Sequence, residues 1–225
     1  MSWESTVPYY RTINRVVGER LGGLHSAKIL LYSVDFAEIE QFQRQGDWNE
    51  AGMLLAGAGR VLQAMGADFL VMCTNTMHRV SAQIEAAISI PLLHIADATG
   101  EVISSTGIAR VGLIGTRFTM EGEFYRRRLE DRYGLEVLVP PESDRIIAHR
   151  IIYAELCRGR RVEESRSACR RITAALVARG CAGIILGCTE VGLLLQSSDA
   201  VVPLFDTAEI HAERAALHAL EPDRA

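Results

Sequence analysis

Hydrophobic residues fall into two recurring patterns along this chain. Short unbroken apolar runs end in small polar residues, which predicts buried strands, and longer stretches with an apolar residue every three or four positions predict amphipathic helices. In order, Met1 to Tyr10 reads as a loop in which Ser5, Thr6 and Pro8 suit a helix start before YYRTINRVVGERL. Ala27 to Phe36 (AKILLYSVDF) predicts a strand, followed by a polar connection to Trp48. A helix is expected over Glu50 to Met65, despite three glycines that permit close packing. An apolar strand follows and ends at TNTMH, then a helix over Arg79 to Ala87 and a short strand over Ile90 to Leu93. The remainder predicts a crossing helix over Ile95 to Ser104, a strand and turn over Arg110 to Thr119 and one helix over MEGEFYRRRLEDRYG. After these come a strand at Leu135 to Val139, helices at Arg145 to Leu156 and Glu163 to Arg179, a strand at Ile184 to Leu186, a strand at Val201 to Phe205 and a last helix at Ala208 to Leu220.

Two of these stretches share one grammar. GADFLVMCTNTMH, from Gly66 to His78, and GCAGIILGCTEVGL, from Gly180 to Leu193, each run from a helix-stopping glycine through an apolar strand to small polar residues. Laying Gly66 on Gly180 places Thr74 under Cys188, Asn75 under Thr189 and Thr76 under Glu190; Tyr10-Arg11 and Tyr125-Arg126 echo one another at nearly the same offset. The chain therefore reads as a duplication: two pseudo-symmetric α/β lobes, each a mostly parallel sheet flanked by helices, with a site in the cleft between them. The expected first lobe comprises residues 1–94 with 207–225, and the second residues 95–206. In the second half a strand precedes the helix that carries Tyr125; its equivalent would lie before Met1, so the natural start is expected upstream.

Composition narrows the function classes. With 225 residues, 48% hydrophobic and 23% charged, the chain can bury one large core or two small ones. A net charge of -4 gives no electrostatic reason to expect nucleic acid or an anionic membrane surface as a partner. No apolar run approaches a membrane span and the N-terminus lacks a signal-peptide pattern, so a cytoplasmic protein is expected. The five cysteines show no CxxC pairing and are expected as reduced thiols. The arginines at 126–128 and at 158, 160 and 161 read as solvated helix faces, and His78, His94 and His211 lack metal-ligand spacing.

The candidate chemistry sits at the two matched strand ends. Cys188, in GCTE after an apolar strand, is expected at a helix N-terminus, where backbone N–H groups would lower its pKa from about 8.5 and make it a base or nucleophile. Asn75, Thr76 and Thr189 are short donors suited to an α-carboxylate, although each could also cap a helix. Thr116 and Thr119 in GTRFT could supply hydroxyls to an anion, and Gln43 and Arg44 could read a side-chain carboxylate.

These motifs resemble the aspartate/glutamate racemase family: MSWEST near the start, TNTMH at 74–78, GLIGT at 112–116 and GCTE at 187–190. The resemblance covers nearly the whole chain. It implies two α/β lobes, no cofactor or metal, an acidic amino acid such as aspartate or glutamate as substrate, a homodimer through a helical face, and a two-base mechanism with one cysteine from each lobe. Met1 and Glu190 join the substrate-binding set by the same resemblance. Threonine, however, stands at position 74 where the family usually has its first cysteine, and Cys73 lies one residue earlier, where alternation along a strand would aim it away from the cleft. The resemblance thus implies a site of unequal faces, with Cys188 serving the L-enantiomer and Thr74 opposite. Cys157 falls in a region where some members carry a lysine. A single-thiol decarboxylase, a maleate isomerase-like enzyme of the same fold, and a two-lobed amino-acid-binding protein without chemistry remain alternatives.

Overall fold

The structure is a computed structural model that describes residues 1–221; residues 222–225, the end of the expected first lobe, lie outside it. It opens with three helices, α1 (Trp3–Leu21), α2 (Phe36–Gln45) and α3 (Trp48–Ala64), before strand β1 (Leu70–Val71). A 3-10 turn over Thr76–Val80 leads into α4 (Ser81–Glu85), then β2 (Leu92–Leu93) and α5 (Ile95–Ser105). The second part runs β3 (Arg110–Gly115), α6 (Arg117–Glu121), α7 (Glu123–Tyr133), β4 (Glu136–Leu138), α8 (Glu142–Ala154), α9 (Glu163–Ala178), β5 (Gly183–Gly187), β6 (Leu204–Asp206) and α10 (Thr207–Ala219).

The strands form two parallel sheets. One is two-stranded, β1 beside β2 with Leu70 opposite Leu92; the other is four-stranded in the order β4-β3-β5-β6. The larger sheet carries the main core, in which Val111, Leu113, Ile114, Ile184, Ile185 and Leu186 are buried between α7, α8 and α9. A smaller core under α2 and α3 gathers Ile39, Leu55, Met77 and Ile84. Between them α10 lays Ala208, Ala212 and Ala216 against Tyr9, Val16 and Val17 of α1, so that the last helix returns to the first.

The repeat is visible in the backbone. Gly66 and Gly180 both have φ of 90°, a conformation open to glycine, where each chain leaves a helix for a strand. His94 caps α5 and Asp206 caps α10, each accepting from the backbone N–H two residues on. At the carboxyl ends of β3 and β5 the backbones nearly touch: a Cβ on Gly115 would stand 2.6 Å from the Gly187 carbonyl oxygen.

Three expectations are corrected. Residues 26–35 form no strand, because pairing needs a neighbour: β4 is held by β3, whereas this segment has no such partner among the described residues, and Leu30, Leu31 and Tyr32 are exposed. Helix α1 starts at Trp3, before Pro8, which lies inside it and withholds only the N–H that would bond the Glu4 carbonyl. The single helix expected from Met120 is two, broken at Gly122, whose ψ of 132° is extended.

Candidate active site

The carboxyl ends of β1, β3 and β5 converge on one cavity. Its walls include Thr74, Asn75 and Thr76 after β1, Thr116 after β3, and Cys188, Thr189 and Glu190 after β5. All seven are buried. The cavity is closed by contacts between the sheets. Thr76 Oγ1 lies 2.9 Å from Thr116 Oγ1 and 3.1 Å from Thr119 Oγ1, and Asn75 Nδ2 donates to Thr207 Oγ1 at 2.9 Å.

At the second strand end a carboxylate gathers three donors. Glu190 accepts from Ser2 Oγ at 2.6 Å, from Thr189 Oγ1 at 2.9 Å and from Cys188 Sγ at 2.9 Å. Burial pushes the Glu190 carboxyl up, and the hydrogen bonds from Cys188, Ser2 and Thr189 pull it down. Cys188 goes the other way: burial, then the Glu190 charge, raises its thiol well above the ordinary value. The expectation of a thiol depressed by a helix N-terminus is overturned, because a turn and a three-residue 3-10 helix follow β5 and the nearest charge is negative.

At the first strand end His78 fixes the backbone. Its Nδ1 donates to the Thr74 carbonyl at 2.7 Å while its Nε2 accepts from the Ile95 N–H at 3.2 Å, so the ring is held neutral in one tautomer. Asn75 lines the cavity, and its Oδ1 is buried without a hydrogen-bond partner among the described residues. Cys73 lies outside the cavity among Tyr9, Ala208 and Ala212, and burial raises its thiol to about 11. The resting site thus couples a thiol to a carboxylate across from a hydroxyl.

Over residues 1–215 the chain matches the sequence profile of the Asp/Glu/Hydantoin racemase family. The chain belongs to this family. It is an isomerase of the racemase class. A Yersinia pestis protein described as a candidate Asp/Glu racemase is 57% identical, with 98% of this chain and 96% of that one covered and a TM-score of 0.90. An aspartate racemase homologue from Pyrococcus horikoshii is 32% identical over 96% and 93% of the two chains, with a TM-score of 0.80. Glutamate racemase from Francisella tularensis, solved with D-glutamate, shares the fold at 16% identity and a TM-score of 0.62, over 94% of this chain and 76% of that one.

In this racemase the sequence-derived candidates separate into groups. Cys188, Thr189, Glu190, Thr74, Asn75, Thr76, Thr116, Gln43 and Met1 line the cavity. Thr119 stands behind the wall: its N–H donates to the Thr116 side chain that caps α6, and its hydroxyl bonds Thr76. Arg44 is not brought to the cavity: its side chain is 71% exposed and faces Glu40 at 3.8 Å along α2. Sequence reasoning missed Ser2, Thr207, Phe36, Ile152 and Tyr153. Ser2 lies in the quoted MSWEST stretch and Thr207 follows the repeat of the His94 cap, but the α8 residues carry no signal that separates them from an ordinary amphipathic helix.

Proposed function

We propose that this racemase exchanges the α-proton of a small amino acid without a cofactor, through the thiol of Cys188 and with preference for the L-enantiomer. The Cys188–Glu190 pair, 2.9 Å apart and facing a cleft whose other wall holds Thr74, carries the reading. The cleft lies between the lobe of residues 1–94 with 207 onward and the lobe of residues 95–206. The Asn75 Oδ1 acceptor suits the α-ammonium, and the Thr116 and Thr189 hydroxyls with the turn N–H groups suit the α-carboxylate. The arriving ammonium offsets the negative charge that keeps Cys188 protonated, so the thiol proton passes to Glu190 Oε2 along the existing contact. The thiolate then takes the α-proton, and the carbanion-like intermediate is held by the carboxylate donors. Return from Cys188 regenerates the L-amino acid; delivery to the opposite face falls to the Thr74 side, where a hydroxyl is a far weaker acid than a thiol.

Aspartate and glutamate, the amino acids named for the relatives, are the first substrates to test. NMR of L- and D-amino acids in deuterated buffer should show α-deuterium entering the L pool faster than the D pool. Cys188→Ala should abolish exchange. Exchange that survives Cys188→Ser at full rate would sink the assignment, and equal exchange into both enantiomers would remove the L preference.

A further inference from the structure

Ser2 stands at the N-cap of α1, extended at φ -62° and ψ 154°, where a serine hydroxyl ordinarily accepts from a backbone N–H of the first turn. It makes no such bond. The hydroxyl instead reaches a residue from the far end of the chain and donates to Glu190 Oε1 at 2.6 Å. Ser2 is 2% exposed and stands behind Glu190, outside the residues that line the cavity. Its backbone is pinned in turn, since its carbonyl accepts from the Ser5 hydroxyl at 2.9 Å and from the Ser5 N–H at 3.3 Å. A helix cap has been given up for a contact in the site.

The two oxygens of the Glu190 carboxylate have different neighbours. Oε2 accepts from Cys188 Sγ and Thr189 Oγ1, each 2.9 Å away and both from the same turn. The last torsion of a glutamate side chain is soft, so donors gathered on one oxygen leave the carboxylate plane free to swing about it. A donor on Oε1 fixes that plane. The same bond favours the ionised carboxylate, against the burial that opposes its charge.

We propose that Ser2 is a positioning residue of the site, whose hydroxyl holds the Glu190 carboxylate in the plane that presents Oε2 to the Cys188 thiol. The proposal rests on the reading of Cys188 and Glu190 as the acting pair: the S–H bond breaks, the sulfur keeps the electron pair, and the proton passes to Oε2 while Oε1 goes on accepting from Ser2. Removing the hydroxyl should raise the pH at which Glu190 ionises, because the charged form gains more from the donor. In Ser2→Ala the acidic limb of the kcat/KM profile, read by deuterium exchange into L-aspartate or L-glutamate, should move up by about one pH unit. At the pH optimum kcat should fall about tenfold and KM should stay within about twofold, since Ser2 touches no substrate atom. Ser2→Gly keeps a residue favoured at an N-cap and should behave like Ser2→Ala, whereas Ser2→Thr restores a hydroxyl and should return the limb to its original place. A merely structural role would lower kcat or Tm and leave the limb unmoved, and that outcome overturns the proposal. Loss of the folded protein in both Ser2→Ala and Ser2→Gly, seen by circular dichroism, overturns it as well. Glu190→Gln exchanging as fast as the unaltered protein overturns the acceptor reading of Glu190 instead, whatever the Ser2 variants do.

Discussion

Cys188 is held as a thiol by the carboxylate that stands ready to take its proton. Glu190→Gln removes that charge and keeps the shape. The thiol should then ionise at lower pH, seen as a shift to lower pH in the midpoint of iodoacetamide alkylation, while α-proton exchange slows about 100-fold for want of the acceptor. Thr74→Cys should do the reverse at the other face: a thiol with an ordinary pKa of about 8.5 can donate where an alcohol cannot, and exchange into the D pool should rise at least tenfold by NMR. The matched motifs made both strand ends legible in the sequence, since Thr74 under Cys188 follows from the glycine register alone. The sign of the Cys188 shift was not legible. It depends on Glu190 folding back two residues to meet the sulfur and on Ser2 arriving from the other end of the chain. Arg44 is not brought to the cavity because successive positions on α2 are turned about 100° from one another, which buries Gln43 and leaves Arg44 in solvent.

Between the residues and the fold, histidines tie the elements to one another. His211 of α10 accepts from Tyr9 OH of α1 at 2.8 Å and donates to the Leu93 carbonyl at 3.0 Å, while His78 joins the strand end to α5. Burial lowers all three of the packed imidazoles: His78 well below its ordinary value, His94 to about 3 and His211 to about 4. An imidazole depressed on folding binds fewer protons than in the unfolded chain once pH drops below about 6.5, so its stability contribution is complete above that value and is lost toward pH 4 and 3. Asp206, raised by burial to about 6, acts oppositely between about pH 4 and 6, one carboxyl against three imidazoles. Urea midpoints should therefore fall as pH is lowered from 7 to 4. Helix positions were legible because caps and periodicity are local. The strand expected over Ala27 to Phe36 was not decidable in that way, since an apolar run becomes a strand only when another strand is beside it.

Across the whole molecule the duplication is unequal. Four strands with Gly112, Gly115, Gly183 and Gly187 packed tightly form one sheet, and two strands of two residues form the other. The larger sheet buries a continuous apolar layer on both faces, so amide hydrogen exchange at Leu70 and Leu92 should be faster than at Leu113 and Ile185. The cavity joins a firm wall bearing Cys188 to a softer one bearing Thr74. No helix among the described residues is long and apolar enough to cross a membrane.

The backbone of residues 26–35 and the outer side of β1 have a consequence for how the protein behaves in company. Among the described residues β1 pairs with β2 alone, and the run at 26–35 carries Leu30, Leu31 and Tyr32 in contact with solvent. Unpaired N–H and C=O groups beside exposed apolar side chains are a template for adding strands from other chains. In concentrated solution self-association should therefore start at this edge, ahead of any loss of the larger sheet.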